Sequence, residues 1–207
     1  VSPYKPVVVA RDVSQDLWLF LREHAGEFPG VETGVEPVRL YPKGGIAAHL
    51  IGYVGEINQK ELEERRDQGY RLGDEIGRAG VERSYESVLR GKPGLEKIEV
   101  DSRGVPLRTL GSEPPVPGKD LKLTIDLEAQ KVAEAALAEG IQRARARVFD
   151  ETKERFVAPA GGVVVLDAKT GEVVAMASYP TFDLTKFTGG IDPDYWKFLN
   201  DPKNDQP

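Results

Sequence analysis

Cysteine, histidine and paired carboxylates carry most nucleophilic, metal and acid–base chemistry in proteins, and this 207-residue chain uses them sparingly. It has no cysteine, which excludes a disulfide, a thiolate metal site and a cysteine nucleophile, and which fits an extracytoplasmic protein. Its two histidines, His24 and His49, are too few for a histidine-rich metal site. His24 falls at the end of a predicted helix, where an imidazole interacts with the last carbonyls. No carboxylate, serine or second histidine stands at a spacing that gives His49 a catalytic partner, so it is expected to be a hydrogen-bonded structural residue. Asp101, Asp126 and Asp167 each have a turn or cap to serve, leaving no orphan pair for a carboxylate-based hydrolase. Neither a metal nor a cofactor is expected.

The formal net charge of −6 argues against a nucleic-acid partner. Hydrophobic content of 40% with 30% charged residues suits a soluble, well-charged protein with a real core. No apolar run reaches the roughly 20 residues that span a bilayer. The chain starts at Val1 rather than Met and is expected to be a piece of something longer.

The elements that would position any site follow from patterning. Lys5 to Ala10 is a β-branched run expected as a strand with Pro6 at its edge. Asp12 and Gln15 form a capping-box pattern before a helix at about 13–25, with Val13, Leu17, Phe20, Leu21 and His24 on one face. Glu32 to Leu40 alternates as a strand. Ala47 to Gly55 follows a turn and is short and mostly buried, helix or strand, which periodicity does not decide. Asn58 with Glu61 caps a charged helix that Gly69 closes, with Glu61 and Arg65 at i,i+4. That helix is either a solvated outer face or a partner surface. Val81, Tyr85, Val88 and Leu89 line one helical face between Gly77/Gly80 and Gly91–Pro93. Leu95–Val100 and Val105–Leu110 flank a four-residue turn, Asp101 to Gly104, as a hairpin. Gly111 to Gly118, dense in proline and glycine, is expected as a stiff linker and domain boundary. Beyond it, Asp120–Ile125 alternates as a strand. Asp126 then caps a long helix striped by Ala133, Leu137, Ile141, Ala144 and Val148, with Arg143, Arg145 and Arg147 near its end as dipole complement or docking patch. Gly161–Leu166 and Glu172–Ala177 are expected as two central strands flanking the tight turn Asp167 to Gly171. The tract from Pro193 to Pro207 is polar and proline-punctuated, expected as a loop.

Three motif groups in this chain are found together in one family. Gly77-x-x-Gly80-x-Glu82-x-x-Tyr85-x-x-x-Leu89-Arg90-Gly91-x-x-Gly94 resembles a long fixed-spacing motif of the class B penicillin-binding proteins. Arg39-x-Tyr41-Pro42-x-Gly44 with Ala48-His49-x-x-Gly52-Tyr53-Val54-Gly55, and Val100-Asp101-x-x-Gly104, resemble further stretches of the same non-catalytic pedestal, in the family's order. Leu123-Thr124-Ile125-Asp126-x-x-x-Gln130, then Gly161-x-Val163-Val164-Val165-Leu166-Asp167, Thr170-Gly171-Glu172-Val173 and Ala175 to Asp183, look like the start of its transpeptidase domain. Thr185 departs from the family, which usually has asparagine there, at a surface position.

The resemblance implies an α+β protein. Residues 1–117 would be an N-terminally truncated pedestal, or dimerisation, domain with strands, a hairpin and short helices. Residues 118–207 would be an incomplete α/β serine acyl-transferase sheet with a long helix. Arg39, Tyr41, Pro42, Gly44, His49, Gly52, Gly77, Gly80, Glu82, Tyr85, Leu89, Gly91, Gly94, Asp101 and Gly104 would be structural motif residues. The family's nucleophile is a serine followed by lysine one helical turn later. Ser2, Ser14, Ser84, Ser87, Ser102, Ser112 and Ser178 are followed at that distance by Lys5, Leu17, Ser87, Arg90, Val105, Pro115 and Thr181. Only Ser2-Pro3-Tyr4-Lys5 matches, at the chain start before a strand, where helical geometry is not expected. Lys169-Thr170-Gly171 spells another family motif but belongs to a hairpin turn. No catalytic residue is therefore expected here; the nucleophile would follow Pro207.

By resemblance, the whole protein is a D,D-transpeptidase that cross-links peptidoglycan stem peptides, is acylated by β-lactams, and is elongation-type. An N-terminal helix would anchor it to the outer face of the bacterial cytoplasmic membrane. Its implied partners are a SEDS-family glycan polymerase and a membrane-anchored shape-determining scaffold protein. A division-type class B enzyme and a stand-alone interaction module are the alternatives.

Overall fold

The computed structural model describes residues 9–10, 12–35, 38–101, 106–149 and 151–201. Over those residues, short antiparallel sheets and helices make a mixed α+β protein. Two compact units form, Val1–Pro37 with Gly94–Pro114, and Val38–Pro93 with Pro115–Pro207. Most of the expected strand at 5–10, the Ser2–Lys5 tetrad and the turn containing Gly104 lie outside the described residues.

In the first unit, helix α1 spans Gln15–Glu23. Its cap is Ser14, whose Oγ accepts the Leu17 N–H at 3.2 Å, and not the expected Asp12, which sits at φ 51°. The extended backbone of Ser14 lets its short hydroxyl reach a free N–H of the first turn. At the other end, the ring of His24 donates from Nδ1 to the Phe20 carbonyl at 2.9 Å and stacks on Phe20. The expected strand over 32–40 forms no ladder among its described residues, because alternation supplies a face but not a partner. Strands β3 (Leu95–Val100) and β4 (Pro106–Glu113) pair antiparallel with two register shifts. Gly111 to Glu113, expected as linker, instead pair with Leu95 to Lys97 and lengthen the hairpin.

The second unit begins with helix α2 (Ala48–Ile51) and strand β1 (Val54–Glu56), so the stretch left open between helix and strand contains one of each. β1 pairs antiparallel with β2 (Glu75–Gly77). Between them runs α3 (Gln59–Glu64), with the expected capping box complete: Asn58 Oδ1 accepts from Glu61 N and Glu61 Oε2 from Asn58 N. That backbone N–H, and then Arg78, hold the Glu61 carboxyl below its usual range. Glu61 pairs with Arg78 at 2.5 Å rather than with Arg65, whose guanidinium lies over the Tyr70 ring. Ile57, Tyr70 and Ile76 form the buried cluster beneath, with Leu62 against it.

The single helix expected from Val81 breaks at Tyr85 into α4 (Gly80–Ser84) and α5 (Glu86–Leu89). Tyr85 leaves helical geometry at φ −113°, ψ 20°, and its carbonyl receives both Val88 N and Leu89 N. Glu86, just after the break, accepts from Gly77 N at 2.8 Å and Tyr70 Oη at 2.9 Å. This anchoring fixes the start of α5 against β2, and a continuous helix would carry Glu86 off it.

Asp126 caps the long helix α6 (Leu127–Ala146) by accepting the Ala129 N–H. The expected strand over 120–125 is extended chain without a ladder; Thr124 Oγ1 donates to the Val173 carbonyl and Asp126 N–H to that of Val174. β5 (Gly161–Leu166) and β6 (Val173–Tyr179) pair antiparallel, as their patterning predicts. Ala133 packs against Ala175 and Ala177, so small residues on both sides bring α6 close to the hairpin. The stripe ends before Val148, which bridges to Arg155 after the helix has finished. Arg143 pairs with Glu139, while Arg145 donates to the Ala158 carbonyl. Pro193–Asn200, expected as loop, is helix α7, capped by Asp192 with proline in its first turn.

Candidate functional site

The motif residues before and after α2 gather around one node. Arg39 binds Glu82 through two parallel contacts, Nε–Oε1 at 2.5 Å and Nη2–Oε2 at 2.7 Å. Glu82 is 5% exposed, so the pair is buried on the carboxylate side and open on the guanidinium side. The hydrogen bond from Glu82 is the main cause that raises Arg39 above its ordinary value. Tyr41 receives the Val54 N–H at 3.3 Å, and burial pushes its hydroxyl up to about 12. Tyr70 shifts the same way, first by burial and then through Glu86.

An unfolded tyrosine ionises near pH 10. These two resist ionisation in the folded state, so their contribution to stability is whole below that pH and is lost as pH rises above it, for Tyr41 up to about 12. Urea midpoints measured from about pH 9 to about pH 11 should fall, and Tyr41→Phe should fall less steeply.

Pro42 and Gly44 lie in the tight turn that leads to Ala47, with Gly44 at φ 61°. Tyr41, Ala48 and Leu184 are buried together, with Ile51, Tyr53 and Phe182 against them. His49 donates from Nε2 to the Pro180 carbonyl at 2.8 Å and meets Phe182 edge-on. It is a hydrogen-bonded residue on an aromatic cluster that also takes in Phe187 and Tyr195. Gly52 and Gly80 bring two backbones together: a Cβ on Gly52 would lie 1.9 Å from the Ala79 carbonyl oxygen, and one on Gly80 would lie 2.4 Å from that of Leu50. A Cβ on Gly77 would meet the Glu82 carbonyl oxygen at 2.2 Å.

Tyr85 is half exposed at the helix break. Leu89 and Gly91 lie where the chain meets Val116 to Gly118, Gly91 at φ 73°. Gly94 and Asp101 belong to the other unit, before and after β3. The structure thus brings Arg39 to Glu82 together as one assembly and leaves Gly94 and Asp101 outside it.

Two residues that pattern reading did not single out as site residues complete the node. Gln130 is fully buried; its Nε2 donates to the Met176 carbonyl and its Oε1 accepts the Met176 N–H, both at 2.8 Å. Glu134, one turn on, accepts from Gln130 Nε2 and from Ala47 N, both at 2.7 Å. The signals available in the sequence were the motif that ends on Gln130 and a glutamine and a glutamate at i,i+4 on an otherwise small-residue stripe. Gln130→Leu should cost about 2 kcal/mol in urea unfolding, because it leaves both Met176 backbone groups unpaired.

Lys169 and Thr170 lie in the turn between β5 and β6, their N–H groups donating to Asp167 Oδ1. Those two bonds hold the exposed Asp167 carboxyl below its usual range. Thr185, at the surface, donates to Asp183. Among the described residues no histidine, aspartate and glutamate cluster could hold a metal, and no helix is long and apolar enough to cross a membrane.

Comparison with known proteins matches residues 1–123 to the Penicillin-binding Protein dimerisation domain. The peptidoglycan D,D-transpeptidase MrdA of Escherichia coli strain K12 is 40% identical over 180 residues, which are 84% of this chain and 25% of that protein. A solved complex between PBP2 and MreC of Helicobacter pylori superposes with a TM-score of 0.66 at 26% identity, covering 94% of this chain and 33% of the PBP2 chain. A peptidoglycan synthase complex, solved for the coordination of polymerisation and cross-linking, matches at 35% identity and a TM-score of 0.64. That match covers 97% of this chain and 34% of the other. The chain thus spans about a quarter of the curated MrdA protein it matches.

Proposed function

The chain belongs to the penicillin-binding protein dimerisation family, in its PBP2/MrdA-type class B branch, and from that premise we propose that it is the non-catalytic, coupling portion of a peptidoglycan D,D-transpeptidase. Residues 1–117 act as the pedestal and 118–207 as the first part of the transpeptidase domain, an incomplete α/β sheet. The motif residues from Arg39 to Gly104 are structural: they build and seat the pedestal. The observation that carries the reading is the interlock of the Arg39–Gly55 segment with α6, β6 and Leu184, through Glu134, Pro180 and the aromatic cluster. A pedestal that grips the catalytic domain by directional hydrogen bonds, as well as by apolar contact, can pass a change of position to it.

The partners in this reading are a glycan polymerase and a membrane-anchored scaffold of the MreC kind, and the site of action is the outer face of the cytoplasmic membrane. The PBP2–MreC complex and the synthase complex among its structural relatives support it. Labelling with a fluorescent penicillin tests the enzymatic part. The full-length protein should label and residues 1–207 alone should not. A full-length protein that fails to label overturns the reading.

A further inference from the structure

A continuous set of hydrogen bonds runs from the motif turn into β6. Ala47 N–H, at a residue with φ 54°, donates to Glu134; Gln130 Nε2 donates to the same carboxylate oxygen; and Gln130 closes on both backbone groups of Met176. The amide of Gln130 has one orientation that satisfies all of this. Its two N–H groups must face Glu134 Oε1 and the Met176 carbonyl, so its oxygen must face the Met176 N–H. Ala47 is also the residue before α2, and its own side chain offers no cap, so the carboxylate from α6 serves that helix start.

We propose that Glu134 is a positioning residue that couples the turn at 44–47 to the backbone of β6, acting through Gln130. A displacement of the turn draws on Glu134, which frees the Gln130 amide to rotate and loosens Met176 in the middle of its strand. His49, two residues after Ala47, holds the same short helix to Pro180 just beyond the end of β6, so the strand is gripped at two points. The proposal gives the coupling reading above a residue-level path, and rests on that reading for its biological use.

Amide exchange in the full-length protein tests it. Peptides covering residues 44–51 and 173–179 are compared with one covering residues 70–78, around β2. Glu134→Ala should speed exchange of the first two about ten-fold and leave the third unchanged, while Glu134→Gln, which keeps an acceptor oxygen, should stay near wild type. Acceleration at 44–51 alone would make Glu134 a local cap and overturn the relay. Acceleration of all three peptides, or of none, would overturn it equally. If Glu134→Ala does not fold, Glu134→Asp, too short to reach both donors, should give the same two-site pattern with smaller amplitude. Penicillin labelling is read separately, so a failed relay leaves the transpeptidase reading standing, and the converse holds.

Discussion

Gly52→Ala should cost roughly 4 kcal/mol, near the upper end of what single substitutions do. Two costs add at this position. Gly52 sits at φ 75°, ψ −166°, a region that side-chain-bearing residues scarcely enter. The added Cβ would also lie 1.9 Å from the Ala79 carbonyl oxygen and 2.8 Å from Gly80 N, and both are backbone atoms that cannot swing aside. Gly69 is the control. Its φ of 74° is nearly the same, but a Cβ there would meet nothing within 4 Å. Gly69→Ala should therefore cost only about 1 kcal/mol of backbone strain. Gly69 also differs in ψ, 22° against −166°, so urea unfolding of the two variants reads the contact and the strained ψ together, and equal losses would show that neither adds to the cost.

The second large effect is asymmetric. Arg39→Ala leaves a 5% exposed carboxylate with its cation gone, and should cost about 3 kcal/mol. Glu82→Gln keeps one acceptor and leaves a guanidinium that is 40% exposed and reaches water, so it should cost about 1 kcal/mol. Thermal melting of both variants and of the double variant checks this. If the double variant is more stable than Arg39→Ala alone, the stranded charge is the source of the loss; an equal loss would rule that source out.

Local signals were legible where their chemistry is local. Asn58 with Glu61 and Asp126 with Ala129 are caps within four residues of themselves, and both form as patterned. The hairpin from Gly161 to Tyr179 forms as well, since its tight turn and its β-branched apolar runs agree. Patterning misled where a partner was needed. Glu32–Leu40 and Asp120–Ile125 alternate as strands should, yet among the described residues no neighbouring strand offers them a ladder. Asp12 lost the cap to Ser14 because helix starts shift by a residue or two at small cost. Asp192–Pro193 is a helix-start signal embedded in a polar tract. The node was half legible. Its glycines, Arg39 and Glu82 stand in quotable motifs, whereas the roles of Gln130 and Glu134 depend on backbone groups 46 and 87 residues away.

Lys92 and Val116 exchange two backbone hydrogen bonds, and Lys119 N–H reaches back to the Val88 carbonyl. Both ends of the intervening stretch are therefore fastened within one unit, at a single doorway. What lies between them, the β3–β4 hairpin, behaves as a cassette. A change in the length enclosed there adds little to the cost of closing that frame, because the closure cost depends only weakly on length. A length change between those two fastenings falls on the first unit, whereas the Arg39–Glu82 pair is made wholly within the second.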